Sequence, residues 1–96
     1  MQRTLLGPES PEVTLILNNL AILEYNEGDL ASAERYMRDV VTQWRRSLGE
    51  RHQSTLVALA SLGSILTDLG RYRDAEPLLR RSLALRRRGR RPLRRP

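Results

Sequence analysis

The side chains that could carry out chemistry are few, and they are scattered along the 96 residues of the chain. The chain has one histidine, His52, and no cysteine, so a zinc site built from these ligands is not expected. Acidic pairs such as Glu24/Glu27 are typical of a solvated helix face, and neither a glycine-rich phosphate loop nor a nucleophile motif occurs. We therefore predict a protein that is not an enzyme and that needs no cofactor and no metal.

Arginine is concentrated at the carboxyl end of the chain. Residues 1–85 hold ten arginines against eleven acidic residues, whereas residues 86–96 add seven arginines and no acid, which accounts for the net charge of +6. Such a tail could bind phosphates without sequence preference, but it has no aromatic residue for stacking on bases. We interpret it as a disordered end and do not expect nucleic acid as a partner. A basic-tailed module that binds nucleic acid or acidic lipid is the alternative.

The amide pair Asn18 and Asn19 interrupts the longest uncharged apolar run, residues 13–23. An asparagine amide both donates and accepts hydrogen bonds, so it can bind a peptide backbone whatever the peptide sequence. The run is too short to span a membrane, and the amino-terminal residues lack the apolar core of a signal peptide. We expect a cytoplasmic protein with no membrane span.

The sequence repeats itself with a period of 42 residues. Ten of the 42 residue pairs that this offset creates between positions 6 and 47 and their counterparts are identical. The identical pairs include Gly28/Gly70 and Ala33/Ala75, so the small residues stay in register. A fixed period of this size is typical of a stacked repeat architecture.

Each repeat is predicted to form two helices. Ser10 caps a first helix that begins at Pro11, and apolar residues recur every three or four positions until Gly28. The second helix is predicted over about 30–46, the third over about 53–68 and the fourth over about 72–87. Because the first helix has apolar residues on two faces, Leu15 and Ile22 among them, we expect it to lie between two neighbours.

Small residues at recurring positions predict close crossings between the helices of each pair. Ala21 and Gly63 lie midway along the first helices, and a large side chain there would push the helix axes apart. The residues that we expect to define the fold are Leu17, Leu20, Ala21, Gly28, Ala33, Leu59, Leu62, Gly63, Gly70 and Ala75.

The segments LNNLA at 17–21 and AEPLL at 75–79, with the two turn glycines, resemble the tetratricopeptide repeat (TPR). The 42-residue spacing resembles the variety found in kinesin light chain, and the resemblance covers about residues 6–88. It implies an all-α fold, a right-handed α-α superhelix of two helix-turn-helix repeats. We accordingly divide the chain into a linker or the end of a preceding repeat (1–10), a first unit (11–47), a second unit (48–88) and a basic, disordered tail (89–96).

The resemblance also implies a function. Members of this family act as non-catalytic scaffolds for protein–protein interaction, and the first helix of each repeat lines a concave groove that holds a peptide. By position, the groove would contain Asn18, Ile22, Tyr25, Asn26, Ser64, Thr67 and Asp68. We expect a protein or peptide partner, and self-association through exposed repeat ends, because such repeats need neighbours to cover their apolar faces. We also expect a piece of a longer array; a regulatory segment of a larger signalling enzyme is a further alternative.

Overall fold

A computed structural model describes residues 10–89 of the chain, with side chains described for residues 10–84. This part of the chain folds into four helices, α1 (Pro11–Asn26), α2 (Leu30–Ser47), α3 (Gln53–Asp68) and α4 (Tyr72–Gly89), and contains no strand. The predicted helix boundaries agree with these bounds to within two residues. Helix α4 extends to Gly89, the first residue of the predicted tail; the rest of the tail and residues 1–9 lie outside the described residues.

Polar side chains cap the first three helices at their amino-terminal ends. The Ser10 hydroxyl accepts a hydrogen bond of 3.2 Å from the Val13 amide, and the Asp29 carboxylate accepts one of 3.1 Å from the Ser32 amide. His52 caps α3 through Nδ1, which lies 3.0 Å from the Ser54 amide nitrogen. Each cap satisfies one of the amide groups that a helix start leaves without a partner. His52 therefore acts as the cap of a helix.

Glycine makes the two tight turns that join the helices of each pair. Gly28 has a φ of 87° and Gly70 a φ of 83°, in the left-handed region that other residues rarely adopt. In both turns the chain folds back at once: the Asp29 amide donates to the Glu24 carbonyl and the Arg71 amide to the Leu66 carbonyl, each at 2.8 Å. These glycine-containing helix ends fix the antiparallel course of α1–α2 and of α3–α4.

The helices pack in chain order, α1 on α2, α2 on α3 and α3 on α4. The two middle helices therefore each have a neighbour on both sides, whereas the close helix contacts of α1 and α4 are with one helix each. One apolar cluster runs through all four helices, and its buried members are Ala21, Ala33, Met37, Val40, Val41, Leu56, Ala58, Leu59, Leu62, Ile65, Leu66 and Ala75. Leu17 and Trp44 pack against this cluster and are half-buried.

The expectation that α1 lies between two neighbours is wrong for the described residues. Leu15, Ile16, Ile22 and Leu23 are all exposed, although their spacing indicated burial. The apolar pattern is real, but the only helix that packs closely on α1 among the described residues is α2. One face of α1 therefore remains apolar and uncovered.

The small residues do lie where the helices approach closely. Ala21, Ala33 and Ala75 are buried, and a methyl group added to Gly63 would meet Leu79 Cγ and Cδ2 of α4 at 2.7 Å. The close crossing of α3 and α4 therefore requires glycine at position 63 as long as Leu79 keeps its present position.

Three polar side chains lie inside the apolar cluster. The Thr14 hydroxyl donates to Gln43 Oε1 at 2.6 Å, and the Ser82 hydroxyl donates to the Leu56 carbonyl at 3.2 Å. Thr55 is fully buried, yet its hydroxyl has no hydrogen-bond partner among the described residues. A buried hydroxyl without a partner loses its hydration and gains nothing in return.

Replacing Thr55 with valine should therefore stabilise the protein. Valine has the same shape, and valine already stands 42 positions earlier, at residue 13. We expect the free energy of unfolding to rise by about 1 kcal/mol in urea denaturation followed by circular dichroism. Thr14→Val is the matched control, because it removes a hydroxyl that has a partner and leaves Gln43 without one, so it should destabilise. A loss of stability in Thr55→Val would mean that its hydroxyl is hydrogen-bonded.

Candidate functional site

The first helices of the two pairs carry facing rows of residues. Asn18, Ile22 and Tyr25 follow one another along α1 at helical spacing, so they share one side of this helix. Ser61, Ser64 and Asp68 form the corresponding row on α3. This arrangement creates a cleft between α1 and α3.

The cleft contains a cavity of about 240 Å³ with an apolar floor. The cavity is lined by Ala21, Ile22, Tyr25, Met37, Ser61, Ser64 and Ile65. Buried residues of α1, α2 and α3 form its floor, and the Ser64 hydroxyl and Tyr25 lie at its exposed rim. The cavity can therefore take up an apolar group while hydroxyls contact a polar chain above it.

Three of the seven lining residues, Ile22, Tyr25 and Ser64, were predicted for the groove by position. The other four, Ala21, Met37, Ser61 and Ile65, were not. The 42-residue offset pairs equivalent positions of α1 and α3, but α1 and α3 line the cleft with different sides. The offset pairs Asn18 with residue 60, whereas the residue of α3 that lines the cleft is the next one, Ser61. A helical projection with α1 and α3 side by side could have found Ser61.

A hydrogen bond joins the two rows at one end of the cleft. The Tyr25 hydroxyl donates to Asp68 Oδ2 over 2.5 Å, between residues that are 43 apart in sequence. This bond, and then the negative charge of the carboxylate, raises the pKa of Tyr25 above its ordinary value, because both oppose ionisation of the phenol. Two of the predicted site residues thus contact each other across the exposed end of the cleft.

The Tyr25–Asp68 bond should make stability depend on alkaline pH. Since the pKa of Tyr25 is raised in the folded state, its stabilising effect is fully present below the ordinary tyrosine value of 10.0 and is lost as pH rises through the raised pKa. Asp68→Asn removes the charge and should move the pKa of Tyr25 back toward 10.0. Ultraviolet titration of the phenolate measures this shift, and Tyr25→Phe identifies the signal among the three tyrosines. Identical titration curves for Asp68→Asn and the parent would contradict it.

The two asparagines predicted for the groove lie in different settings. Asn18 is half-buried, one turn before Ile22, and its amide forms no hydrogen bond within the described part of the chain. Asn26 is exposed at the last residue of α1. Asn26 does not line the cavity.

Thr67 is not part of this cavity. Its hydroxyl donates to the Gly63 carbonyl at 2.9 Å, within α3. It lines a second depression, on the side of the α3–α4 pair away from α2, together with Tyr72, Ala75, Glu76, Leu79, Arg80 and Leu83. The structure therefore brings Ile22, Tyr25, Ser64 and Asp68 together around one cleft and places Thr67 on a separate surface.

Ion pairs hold the connections between helices away from the cleft. Arg71, in the turn after α3, pairs with Glu34 of α2 at 3.0 Å and with Asp74 at 3.1 Å. Glu50, in the α2–α3 connection, pairs with Arg81 of α4 at 2.7 Å and with Arg45 at 3.3 Å. Arg81 and then Arg45 lower the pKa of Glu50. Apart from Glu34, which is half-buried, these charged groups are well exposed to solvent, and all of them are satisfied by one another. We therefore assign them to positioning of the helices rather than to chemistry.

Within residues 10–89, no group of three or more histidine or acidic side chains is placed to hold a metal ion. In the same range, no helix has both the length and the apolar character needed to cross a bilayer.

The described residues thus form an all-α module of two packed helical hairpins with a cleft between their first helices. The profile of the tetratricopeptide repeat matches residues 3–88, and the chain belongs to this family. Domains of this family generally mediate protein–protein interactions and are generally non-catalytic. A comparison with curated proteins found no significant match.

Proposed function

We propose that the protein is a non-catalytic scaffold module that binds an extended peptide segment of a partner protein in the cleft between α1 and α3. We further propose that α1–α2 and α3–α4 are two 42-residue repeats of the kinesin-light-chain-like variety, in a right-handed superhelix. The protein would act in the cytoplasm, as part of a scaffold or of a regulatory assembly.

The observation that carries this proposal is the cavity of about 240 Å³ at the base of the cleft. Pockets for whole small molecules usually measure about 300–1,000 Å³, so this cavity is small for a metabolite or cofactor. It has room for one apolar side chain of a peptide, and its Ala21, Met37 and Ile65 floor would bury that side chain. The cleft is open at its rim, which suits a chain that continues on both sides of the anchored residue.

Asn18 would bind the peptide backbone. Its amide lies in the same row as Ile22, which lines the cavity, and it has no competing partner in the described part of the chain. One amide can donate to a peptide carbonyl and accept from a peptide N–H at the same time. The cavity would thus select one apolar side chain, and Asn18 would hold the backbone beside it without regard to sequence.

A peptide selection tests this proposal. A random dodecapeptide library displayed on phage is panned against the full chain, and the enriched peptides are measured by fluorescence anisotropy. We expect the peptides to share one apolar position whose change to aspartate abolishes binding. Ser64→Arg, which places a large charged side chain at the cavity rim, should weaken binding by at least about tenfold. Asn18→Ala should cost about 1–2 kcal/mol for a lost backbone contact.

Thr42→Arg is the matched control. Thr42 is an exposed residue of α2 that does not line the cavity, so a large charged side chain there should leave peptide affinity unchanged. Equal circular dichroism spectra establish that all variants keep their helices. Peptides that bind Ser64→Arg and the parent equally well would rule out the cleft as the binding site.

A further inference from the structure

The two outer faces of the helical array expose apolar residues that are buried at the corresponding positions inside it. On α1, Ile16 is 54% exposed and Leu23 is 48% exposed, whereas Ala58 and Ile65, 42 positions later on α3, are 1% and 3% exposed. On α4, Leu83 is 53% exposed, whereas Val41, 42 positions earlier on α2, is 5% exposed. Each outer helix therefore shows a surface whose equivalent is covered elsewhere in the same chain.

The helix contacts explain these differences. Helix α3 packs on α2 and on α4, whereas α1 packs closely on α2, the equivalent of α4. Residues of α3 that are buried, while their equivalents on α1 are exposed, are therefore the residues of α3 that α2 covers. By the same reasoning, Leu83 is exposed on α4 because nothing among the described residues takes the place that α3 has on α2. We call Ile16, Leu23 and their surroundings the α1 face, and Leu79, Leu83 and their surroundings the α4 face.

We propose that the α1 face of one molecule docks on the α4 face of a second copy, in the geometry in which α3 docks on α2. Both halves of this contact are present on one chain, so the molecule is complementary to itself. The depression beside Thr67 is the receiving surface: it is lined by Ala75, Leu79 and Leu83, which correspond to Ala33, Met37 and Val41 under α3. A second copy is favoured over an unrelated partner because α1 repeats the apolar pattern of the helix that fits this surface.

The contact is head-to-tail, so it uses two different surfaces and leaves one of each free on every dimer. Association of this kind does not stop at two copies unless the rotation between them closes a ring. We therefore expect dimers and longer chains whose proportion rises with protein concentration. Ile16 and Leu83, the residues changed in the test below, do not line the α1–α3 cavity, so self-association can be tested separately from the proposed peptide binding.

One pair of charged residues at the proposed contact has like charges, and it is expected to weaken self-association. Inside the chain, Arg71 pairs with Glu34 across the α2–α3 contact at 3.0 Å. The corresponding residues between two copies are Asp29 and Glu76, both acidic. Two carboxylates at this place weaken the contact relative to the one within the chain. Glu76→Arg should restore an opposite-charge pair and tighten self-association by about tenfold.

Sedimentation velocity of the full chain, from micromolar to millimolar concentration, tests the proposal. Ile16→Glu should remove the α1 face and Leu83→Glu the α4 face, so each variant alone should sediment as a monomer. Mixed together, they should form a one-to-one dimer that does not grow, because each variant contributes the face that the other has lost. Val57→Glu, a change of similar exposure outside both faces, should associate like the parent.

Several results would overturn the proposal. A parent chain that stays monomeric at millimolar concentration excludes the contact. Dimers formed by Ile16→Glu alone, or by Leu83→Glu alone, would indicate a symmetric contact between identical faces. Failure of the mixture to dimerise, with both variants helical by circular dichroism, would show that the two faces do not fit each other. Weaker association of Glu76→Arg would contradict the register taken from the α2–α3 contact.

Discussion

Leu66→Ala is expected to lower the free energy of unfolding by about 2–5 kcal/mol. Leu66 is fully buried in α3, the helix that packs on both α2 and α4, so the lost side chain leaves a cavity that neighbours on two sides cannot easily fill. Small domains have a total stability of about 5–15 kcal/mol, so this one change removes a large share of it. Urea denaturation followed by circular dichroism measures the effect, at one fixed protein concentration because association would add to stability.

Val57→Ala is the control for this prediction. Val57 is on the same helix but 47% exposed, so its truncation should change stability by about 0.5 kcal/mol or less. Equal effects of the two substitutions would mean that α3 is not the central element of the apolar cluster.

Gly63→Ala is expected to destabilise the protein by about 1–2 kcal/mol, although alanine is the better helix former by about 1 kcal/mol. The added methyl group would lie 2.7 Å from Leu79 Cγ and Cδ2, which is closer than carbon atoms can approach, so Leu79 or α4 would have to move. The equivalent pair in the first two helices is Ala21 and Met37, both buried, and there a methyl group is tolerated. Methionine is unbranched and adapts its shape more readily than leucine.

The double variant Gly63→Ala/Leu79→Met recreates the Ala21–Met37 pair and should recover the lost stability. A double-mutant cycle by urea denaturation should give a favourable coupling of about 1 kcal/mol or more. Leu79→Met alone should change stability by less than about 1.5 kcal/mol. Additive effects of the two substitutions would show that the clash at position 63 is not what requires glycine.

The family resemblance pointed to the peptide-binding class of function, and the profile match to residues 3–88 supports the family. The place of the site is a different matter. Seven groove residues were predicted from their positions in the repeat. In the structure, Ile22, Tyr25, Ser64 and Asp68 lie around one cleft, whereas Thr67 lies on another surface. Whether the cleft binds a peptide stays a prediction.

The sequence by itself determined the helices and their turns. Ser10, Asp29 and His52 each hydrogen-bond an amide two or three residues away, and Gly28 and Gly70 adopt a backbone conformation that hardly any other residue tolerates. These interactions join residues that are close in sequence, so both partners can be identified from a short stretch of the chain.

Only the tertiary structure decided which apolar residues are covered and which polar residues meet. Ile16 and Ala58 occupy like positions in the repeat, but Ile16 is exposed and Ala58 is buried. Among the described residues α3 packs on two helices, whereas α1 packs closely on α2 alone. Tyr25 and Asp68 meet although they are 43 residues apart. Such contacts depend on how the helices pack against each other. The 42-residue period identifies equivalent positions in the two helix pairs, but it does not show which helix lies next to each of them. Burial and site formation therefore follow from the packing, whereas the helices follow from short stretches of chain.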